Sequence, residues 1–432
     1  MKFSSNPSKS NTTESNTAER IPHEIWILVS AAFLVALGWG IVSPVLPQLA
    51  HSFGVSMAAV GFVVSVMSFA RLVFAPGAGR LVDRLGSRIV YISGLLIVAF
   101  ATGAISIAQA YWHVLVLRLI SGIGSTMFTV SALSLIVKIS PPNIRGRCSS
   151  AYGTAFLLGN LMGPLVGTLL SPLGMRIPFV IYAVALFIAS AVVYVRLKPS
   201  ALEAYRLKHQ DESQEKSPTP AQPEKALPPV SVKEVIGDSA YRAVLTSSFF
   251  HGFTNMGVRV AILPLFAAHV FGAHGTALAG LALSAFAGGN ALSLQFSGRL
   301  ADRIGRRPMI MVGLVFSGTF TFFMGMPTSM WPVLILSILA GFGAGLLAPA
   351  QTAAMADIIG RERPGGTVMA SQQMAADFGV MLGPILIGFV ADQWGYSPAF
   401  MISGAVLFLG IILWLGARET LPAKNLTGKR SI

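Results

Sequence analysis

Twelve long apolar stretches, separated by shorter polar segments, constrain this chain more than any other feature. An α-helix needs roughly 20 apolar residues to cross the hydrocarbon core of a bilayer. A soluble domain carries about 25% charged residues, whereas this chain has 11% charged and 53% hydrophobic residues. We therefore expect an all-α membrane protein. The predicted transmembrane helices cover residues 25–49, 59–79, 89–109, 113–137, 147–170, 177–196, 242–270, 277–298, 308–326, 331–356, 368–391 and 398–417.

The longest internal polar segment divides these helices into two groups of six. It runs from Lys198 to Asp238, and its many charged residues and prolines are typical of a disordered linker. The N-terminus has no basic region followed by a short apolar run and a cleavage site, so we expect the first helix to stay in the mature protein. The predicted organisation is a cytoplasmic polar tail (1–24), an N-terminal six-helix bundle (25–196), a cytoplasmic linker (197–241), a C-terminal six-helix bundle (242–417) and a cytoplasmic tail (418–432).

Lysine and arginine residues fall mainly on one side of the predicted membrane. If the N-terminus is cytoplasmic, all but four of the 31 lie in cytoplasmic segments; the exceptions are Arg176, Arg71, Arg118 and Arg259. Positive residues favour cytoplasmic loops, so both termini are predicted to be cytoplasmic. The basic residues sit in short loops rather than on one polar face, which argues against nucleic acid as a partner. We expect a monomer in the lipid bilayer of a bacterial cell membrane.

A charged ten-residue segment occurs once in each half. Residues 79–88 read GRLVDRLGSR, and residues 298–307 read GRLADRIGRR, 219 positions later. A second match, at an offset of 220, joins Gly159-x-x-x-Gly163-Pro164 to Gly379-x-x-x-Gly383-Pro384. The charges are too dense for lipid, so both segments must lie at the water boundary. The repeat predicts two related bundles with a substrate path between them, near the membrane midplane.

These motifs carry a resemblance to a known family. The doubled segment Gly-x-x-x-Asp-Arg-x-Gly-x-Arg resembles the signature of the major facilitator superfamily. The run from Gly159 to Gly167 resembles the fifth-helix motif of its twelve-span drug:proton antiporters, and Arg118 resembles the fourth-helix arginine implicated in their proton coupling. Ser87 departs from the pattern where a basic residue is common, as does Thr168 where a second glycine is common. The resemblance implies two pseudo-symmetric six-helix bundles, a small-molecule substrate and a proton as the coupling ion.

The resemblance also implies a gate in which Asp83 contacts the start of the eleventh helix. A carboxylate is favoured near a helix N-terminus, and such a latch must break during transport. Alternatively, the arginines of these segments only anchor the helices at the lipid headgroups. The glycines of helix five share one face, where another helix can approach closely, and Pro164 invites a kink; ordinary packing is the alternative. The predicted gating residues are Gly79, Asp83, Arg84, Gly298, Asp302, Arg303, Gly159, Gly163 and Pro164.

Charged residues within the apolar stretches are costly in lipid and mark a cavity, a partner or a pathway. Arg71, Arg118 and Arg259 can line the pathway, or they can merely join helices. Asp377 is the one carboxylate within a predicted helix, and it can carry the proton, pair with Arg84 or support the latch. Arg118 and Asp377 are the proton-coupling candidates. Asp357 is expected to form a structural ion pair with Arg306 or Arg307, and membrane histidines such as His251 are expected to be packing residues.

Helix interruptions indicate where a substrate binds. Glycine and proline interrupt helix one near Trp39 and Pro44, and Pro264 interrupts helix seven at the position equivalent to Pro44. Interruptions at matching places in two halves point to a binding site. Trp39 can stack on a flat apolar substrate, although an anchor at the membrane surface is the alternative. The predicted substrate-binding residues are Trp39, Arg71, Asn255, Arg259 and Asn290, with Gln373 as a further polar candidate.

These observations predict a secondary active exporter, a proton-coupled antiporter of small amphipathic molecules or drugs that works by alternating access. The alternative is an importer or uniporter of a small, possibly anionic, metabolite held by Arg71 and Arg259. No glycine-rich phosphate loop for ATP is present. One cysteine, Cys148, excludes an internal disulfide and a multi-thiolate metal site. We therefore expect no enzyme activity, no cofactor and no metal.

Overall fold

Within the part of the chain that the structure describes, twelve helices are long and apolar enough to cross a membrane, as the sequence predicts. The computed structural model describes residues 21–140, 144–197, 230–360, 363 and 365–421, so both predicted tails and the linker lie largely outside the described residues. The helices are α1 (His23–Val42), α2 (Met57–Leu85), α3 (Ser87–Ile105), α4 (Tyr111–Ile139), α5 (Gly146–Leu173), α6 (Ile177–Arg196), α7 (Ser239–Phe271), α8 (Gly275–Ile304), α9 (Arg306–Gly325), α10 (Met330–Ile359), α11 (Gly366–Trp394) and α12 (Tyr396–Gly416).

Two of these helices are interrupted at the positions the sequence indicates. The first ends at Val42, and after a turn the chain continues as a short helix, Leu46–His51. In α7 a π-helical segment, Asn255–Ile262, separates two α-helical parts, and Pro264 lies at the start of the second. Proline lacks an N–H and cannot continue the hydrogen-bond ladder, which accounts for the changes beside Pro44 and Pro264. π-Segments occur frequently at functional sites.

The helices form two bundles, each with its own core. In the N-terminal bundle α1 packs on α5, and α4 lies between α2 and α3; in the other bundle α7 packs on α11, and α10 lies between α8 and α9. Buried aromatic residues mark the two cores, among them Tyr91 and Phe179 in the first and Trp414 in the second. Large apolar side chains such as Leu169 cover the outer surface, and only lipid can solvate such a surface favourably.

The bundles meet along two helix pairs, α2 with α11 and α5 with α8. Both pairs use a glycine against the backbone of a proline. A methyl group at Gly61 would overlap the carbonyl oxygen of Pro384, and one at Gly280 would lie 2.7 Å from the carbonyl oxygen of Pro164. Glycine is therefore required for this close approach. The two contacts are related by the same offset as the sequence repeat, so the interface itself is pseudo-symmetric.

The two charged segments lie on one face of the protein, which we call the motif face; the opposite face is the far face. Both helix pairs touch in the half of the molecule near the far face. Towards the motif face the bundles separate: positions 73–77 of α2 are exposed, and a methyl group at Gly79 or Gly298 would meet no atom within 4 Å. The space between the bundles therefore opens towards the motif face.

Equivalent contacts fix the charged segments in both bundles. Arg88 donates to the carbonyl oxygen of Tyr194, and Arg307 donates to that of Leu415. The next pair differs between the halves. Arg306 donates to Asp357 at 3.1 Å, as the sequence predicts, whereas the equivalent positions hold Ser87 and Lys138, which form a hydrogen bond of 2.9 Å. In the N-terminal bundle a serine thus takes the place of the arginine and a lysine takes the place of the aspartate, and the two side chains still form a hydrogen bond.

Residues 230–238, which the composition assigned to the linker, fold against the C-terminal bundle. Val230 and Val235 are buried in its core, and Ser231 and Glu234 form a reciprocal cap on the short helix Val232–Val235. Asp238 caps the start of α7 by accepting a hydrogen bond from the Ala240 N–H. The C-terminal bundle therefore includes residues before the predicted boundary at residue 242.

Candidate functional site

An ion pair joins the two bundles where they begin to separate. Arg71 on α2 lies 3.8 Å from Asp377 on α11, and Gln373 donates to the same carboxylate at 3.1 Å. The Arg71 side chain is 36% exposed and that of Asp377 is 14% exposed, so the pair borders the open space without being fully immersed in water. Asp377 is the twelfth residue of the 29-residue helix, three positions before its midpoint.

A cavity of about 340 Å³ extends from this region into the C-terminal bundle. It lies between α7, α10 and α11, and its polar lining consists of hydroxyl, amide and imidazole groups. Among the described residues of this lining, His251 is the only titratable side chain. Such a site can accept apolar or amphipathic molecules with few charged contacts. The lining residues are Ser248, His251, Ala348, Gln351, Thr352, Met369, Gln372, Gln373 and Ala376.

Three polar residues of α7 form a continuous hydrogen-bonded row. His251 Nε2 lies 2.7 Å from the Asn255 amide nitrogen, and the Asn255 oxygen accepts from Arg259 at 2.6 Å. Arg259 is buried, donates to Thr321 at 2.9 Å and stacks over the ring of Phe286 at 3.8 Å. The row leads from the cavity into the interior of the C-terminal bundle. Two predicted substrate-binding residues, Asn255 and Arg259, thus contact each other directly.

The N-terminal bundle holds a comparable pair. Arg118 is buried and lies over the Trp39 ring at 4.8 Å, where the face of the indole attracts the cation. It also lies 3.1 Å from the Met67 sulfur. Trp39 and Arg259 occupy positions related by the 220-residue offset, so each half places one partner of a cation–π contact at the same point of its first helix. Arg118 is not close to a carboxylate among the described residues, and Asp377 pairs with Arg71 instead.

Asn290 lies apart from the other candidates. It is half-buried on α8, one turn beyond Phe286, and the backbone at Asn290 packs against Gly345 of α10. Its carbonyl oxygen accepts a hydrogen bond from Ser293. Gln373, by contrast, lines the cavity and holds Asp377. The structure therefore brings Gln373, rather than Asn290, to the junction between the cavity and the ion pair.

The glycines of α5 face α1, on the side predicted by their four-residue spacing. A methyl group at Gly159 would lie 2.7 Å from the Phe33 carbonyl oxygen, and one at Gly163 would lie 2.5 Å from that of Leu37. Pro164 lies on the same helix against Gly40 and, through its carbonyl oxygen, against Gly280 of the other bundle. The Thr168 hydroxyl bonds to the carbonyl oxygens of Pro164 and Ala277. These contacts make α5 the link between α1 and the C-terminal bundle.

A carboxylate that the sequence analysis missed closes the far face. Asp392, near the end of α11, accepts hydrogen bonds from the N–H groups of Met57 at 2.8 Å and Ala58 at 2.9 Å, the first residues of α2. Gln48 adds a second far-face link, accepting from Thr276 at 2.6 Å. The prediction placed the end of helix eleven at residue 391, which hid Asp392. The sequence did contain a signal for this contact. Asp392 is a carboxylate at one end of helix eleven, and the predicted latch used the other end of the same helix.

The corresponding contact at the motif face is open. Asp83 and Arg84 are exposed, and within the described part of the chain Asp83 makes no hydrogen bond or ion pair. The first turn of α11 also has no side-chain cap among the described residues. In the second segment Asp302 pairs with Arg306 of the same loop, while Arg303 is exposed. In this conformation no predicted gating residue of the two charged segments bridges the bundles.

Metal ligands are not clustered in the described residues. They contain no group of three or more His, Cys, Asp and Glu side chains that is close enough to hold a metal ion. Cys148 is fully buried in the core of the N-terminal bundle.

Comparison with known proteins gives matches over nearly the whole chain. The Major Facilitator Superfamily profile matches residues 28–250 and 244–431. A multi-drug resistance efflux pump PmrA homolog of Lactococcus lactis is 27% identical over 406 residues, covering 90% of this chain and 92% of the relative. Multidrug resistance protein 2 of Bacillus subtilis is 23% identical over 403 residues, covering 92% and 97%. Multidrug resistance protein MdtG of Salmonella paratyphi C is 26% identical over 403 residues, covering 90% and 93%.

Solved structures show the same architecture. A bacterial homolog of the human lysosomal transporter Spinster, in an inward-facing and occupied conformation, superposes with a TM-score of 0.72 at 15% identity, covering 94% of this chain and 98% of that one. The human organic anion transporter MFSD10 superposes with a TM-score of 0.61 at 18% identity, covering 91% and 100%. At these identities the likeness concerns the fold. Together with the profile match over both halves, it shows that this chain belongs to the major facilitator superfamily and is a multi-pass membrane transporter.

Proposed function

We propose that this transporter is a proton-coupled exporter of small amphipathic molecules, including drugs, and that it works as an antiporter by alternating access. The observation that carries the proposal is the ion pair between Arg71 and Asp377. It combines a proton-binding group with a contact between the bundles, at the edge of the open space. A proton bound there changes how strongly the two bundles hold each other.

The coupling follows from the charge on Asp377. An ionised carboxylate in a partly dehydrated site needs a partner, which Arg71 on the other bundle supplies. A proton added to Asp377 removes that attraction and releases Arg71, so the bundles become free to rock. Loss of the proton on the other side of the membrane restores the pair. Each cycle of opening and closing is thereby linked to the passage of a proton.

Export is supported by the relatives: one is a homolog of a multi-drug resistance efflux pump and two are multidrug resistance proteins, and all three align over about nine-tenths of this chain. The cavity chemistry is consistent with amphipathic cargo, because amide and hydroxyl groups lie beside Met369 and two alanines. Methionine adapts to ligands of different shape. Trp39 in the N-terminal bundle and Asn255 in the other are the proposed substrate contacts on either side of the central space, and each is held by a buried arginine, Arg118 and Arg259.

The distribution of basic residues supports a cytoplasmic motif face, with both termini on that side. We infer that the protein is a monomer in a bacterial cell membrane and that the conformation described here is its inward-open state, with the far face closed by Asp392, Gln48 and the two glycine contacts. In the outward-open state the far-face contacts break. Motif-face contacts must then replace them.

The helix register indicates what replaces them. Along α2, Asp83 lies 12 residues beyond Arg71; along α11, Gly365, the residue before the first turn, lies 12 residues before Asp377. Since α2 and α11 run antiparallel, the same spacing brings Asp83 to the N-terminus of α11 when the motif face closes. There the carboxylate meets unpaired N–H groups and the positive end of the helix dipole. Asp83 and Asp392 would then act as alternating latches.

Purified protein in liposomes tests the function directly. The liposomes receive an acid-inside pH jump, and uptake is followed for ethidium and for a panel of lipophilic cations and neutral dyes. We expect at least one dye to accumulate in wild-type liposomes, no accumulation after a protonophore, and loss of proton-driven accumulation in Asp377→Asn. Equal accumulation with and without the pH gradient refutes proton coupling. Failure of every dye to accumulate refutes drug export.

A further inference from the structure

His251, Asn255 and Arg259 are spaced by four residues, so they follow one face of α7 across the boundary into its π-helical segment. Their side chains touch in sequence: His251 to Asn255 at 2.7 Å, and Asn255 to Arg259 at 2.6 Å. His251 borders the cavity, whereas Arg259 is only 2% exposed. The row therefore connects a group accessible from the open space to a buried positive charge.

Only one arrangement of donors and acceptors satisfies the hydrogen bonds between these three side chains. A guanidinium group only donates, so the Asn255 side chain must turn its oxygen towards Arg259. Its NH₂ group then faces His251 Nε2. Because that amide nitrogen also only donates, Nε2 must accept, and it must carry no proton. His251 is therefore neutral in this arrangement, with its ring proton on Nδ1.

A proton on Nε2 is incompatible with the same arrangement. The Nε2–H group would point at the NH₂ group of Asn255, so two donors would face each other. The amide can satisfy Nε2–H only by turning over and presenting its oxygen. That turn places the amide NH₂ group opposite Arg259, which also only donates. Protonated His251 and the hydrogen bond between Asn255 and Arg259 therefore exclude each other.

Few other charged groups face His251. On its own helix the nearest is Arg259. On α11 it is Asp377, next to the cavity-lining Ala376, together with its partner Arg71 on α2. The cavity-lining residues of α10 are Ala348, Gln351 and Thr352, and all are uncharged. From α12, the described neighbours of α7 include Ser403 and Trp414, which are also uncharged.

We propose that His251 is a second proton-binding site of this transporter, and that proton uptake there turns the Asn255 amide and releases Arg259. The proton comes from water in the open cavity and adds to the Nε2 lone pair; otherwise only hydrogen bonds break and form. Released Arg259 keeps its contacts with Thr321 and Phe286. Its buried Nε has no hydrogen-bond partner among the described residues.

This inference rests on the proposed antiport and names a feature of the substrate. Proton uptake changes the cavity wall from neutral to positive beside a second, newly released positive charge. A cationic molecule bound there is repelled, so the proton and a lipophilic cation exclude each other from the same site. Competition of this kind is what an antiporter needs, since each ligand must leave before the other binds. Protonation of His251 should weaken the binding of a neutral dye much less than the binding of a cation of the same size.

The tautomer of His251 tests the structural step without any transport measurement. Full-length protein with ¹⁵N-labelled histidine is placed in nanodiscs, and the His251 signals are identified among the seven histidines by comparison with His251→Gln. At alkaline pH we expect a protonated Nδ1 and a bare Nε2. Acidification from about pH 8 to about pH 4 should convert the ring to the doubly protonated form, because burial and the nearby Arg259 disfavour the second ring proton. A neutral ring with its proton on Nε2, or a ring that stays neutral throughout, overturns the inference.

Ethidium binding to the same nanodiscs tests the functional step. Acidification should raise the wild-type Kd by about tenfold, a typical size for coupling between two sites. Both His251→Gln and Asn255→Asp should lose most of this pH effect; the aspartate accepts from both neighbours, so a protonated ring no longer displaces Arg259. The matched control is His269→Gln. His269 lies further along α7, where its ring faces Tyr396 and not the cavity, and this variant should keep the wild-type profile.

The outcomes separate this inference from the proposed function. If the wild type accumulates dyes in response to a proton gradient, but His251→Gln keeps the wild-type pH dependence of binding, the inference fails and the antiport stands. If His251 titrates as described and controls binding, but no proton-driven accumulation occurs, the proposed function fails and the His251 site stands. Thermal unfolding midpoints of the variants show that any loss is not caused by misfolding.

Discussion

The Asp392 carboxylate accepts a hydrogen bond of 2.8 Å from the Met57 N–H, across the boundary between the two bundles. The Ala58 N–H donates to its other oxygen at 2.9 Å. These groups belong to the first turn of α2, whose N–H groups lack partners within the helix. A single side chain thus caps a helix of the opposite bundle and holds the far face closed.

We expect Asp392→Asn to open the far face. The amide keeps one acceptor oxygen but loses the charge, and a charge near a helix N-terminus contributes up to about 2 kcal/mol in partly buried sites. A loss of 1 to 2 kcal/mol changes the ratio of two populations by a factor of about 5 to 30. Spin labels in a Cys148→Ala background measure the change. One pair reports on the far face (Ile107 and Met326), and the other reports on the motif face (Leu85 and Ile304); all four positions are exposed.

In Asp392→Asn the far-face distance should lengthen and the motif-face distance should shorten. Glu24→Gln is the control, because this carboxylate lies in the first turn of α1 at the motif face, away from the latch. Unchanged distance distributions in Asp392→Asn would mean that the glycine contacts and the hydrogen bond between Gln48 and Thr276 are enough to keep the far face closed.

Two glycines of α2 predict opposite shifts in the same measurement. Gly61 and Gly79 are 18 residues apart, about five helical turns, so they lie on the same face. A side chain at Gly61 would overlap Pro384, whereas one at Gly79 would meet nothing within 4 Å. Gly61→Val should therefore favour an open far face. Gly79→Val should oppose closure of the motif face and increase the population of the conformation described here.

Gly77→Val is the matched control for this pair. Gly77 is on the same helix but on the opposite face from Gly79, and it also has no atom within 4 Å of an added methyl group. Gly77→Val adds the same β-branched residue to the helix and has the same cost in helix propensity, but the new side chain does not face α11. If Gly77→Val and Gly79→Val shift the distances equally, the effect of Gly79→Val comes from helix propensity and not from gate closure.

The cap at the start of α7 predicts a pH-dependent stability. Burial alone would raise the pKa of Asp238, but the hydrogen bonds from Arg418 and the Ala240 N–H, together with the Arg418 charge, lower that pKa below its usual value. A carboxyl whose folded pKa is depressed stabilises the protein above its unfolded pKa of about 3.9, and this contribution is lost as the pH falls through the folded pKa. Its size is modest, since the Arg418 side chain is 54% exposed.

Asp238→Ala should therefore lower the free energy of unfolding by about 1 kcal/mol at neutral pH, the usual cost of losing a helix cap. The difference from wild type should begin to shrink below about pH 4, where the carboxyl of the unfolded protein takes up its proton, and should be smallest below the lower folded pKa. Asp238→Asn keeps a capping oxygen but not the charge, so it should fall between the two proteins. Thermal unfolding in detergent at a series of pH values measures these differences. A difference that is the same at all pH values would show that the charge on Asp238 contributes nothing.

The sequence was sufficient for the helices and for contacts that depend on repetition. Apolar length sets the twelve helices, and the four-residue spacing of Gly159 and Gly163 places them on one face against α1. The pairing of Arg306 with Asp357 could also be predicted, because both residues lie at the same membrane boundary, at the ends of α9 and α10. Spacing within a helix and position along it are enough for these features.

Contacts between the bundles could not be read in the same way. Asp392 reaches a backbone group 335 residues away, and such pairing depends on how α2 and α11 are aligned. Asp377 was considered as a partner of Arg84, but that alignment brings it to Arg71. The open face was also not predictable, since one sequence must encode both conformations of a transporter with a small difference in free energy.

The ion pair between Arg71 and Asp377 can be tested by reversing its charges. Either single reversal, Arg71→Asp or Asp377→Arg, places two like charges together at the boundary between the bundles, where repulsion replaces attraction. Each should reduce proton-driven dye accumulation by more than about tenfold, a loss of roughly 1.4 kcal/mol or more. The double reversal restores an attractive pair at the same distance, so it should recover part of the transport that both single variants lose.

The pattern separates a coupling pair from two independent residues. Independent losses would add in the double variant, whereas groups in direct contact give a non-additive result. Recovery should also appear in the spin-label distances, because both single reversals push α2 away from α11 and the double reversal does not. If the double reversal transports no better than the worse single variant, Arg71 and Asp377 do not act through each other, and the proton that drives export binds elsewhere.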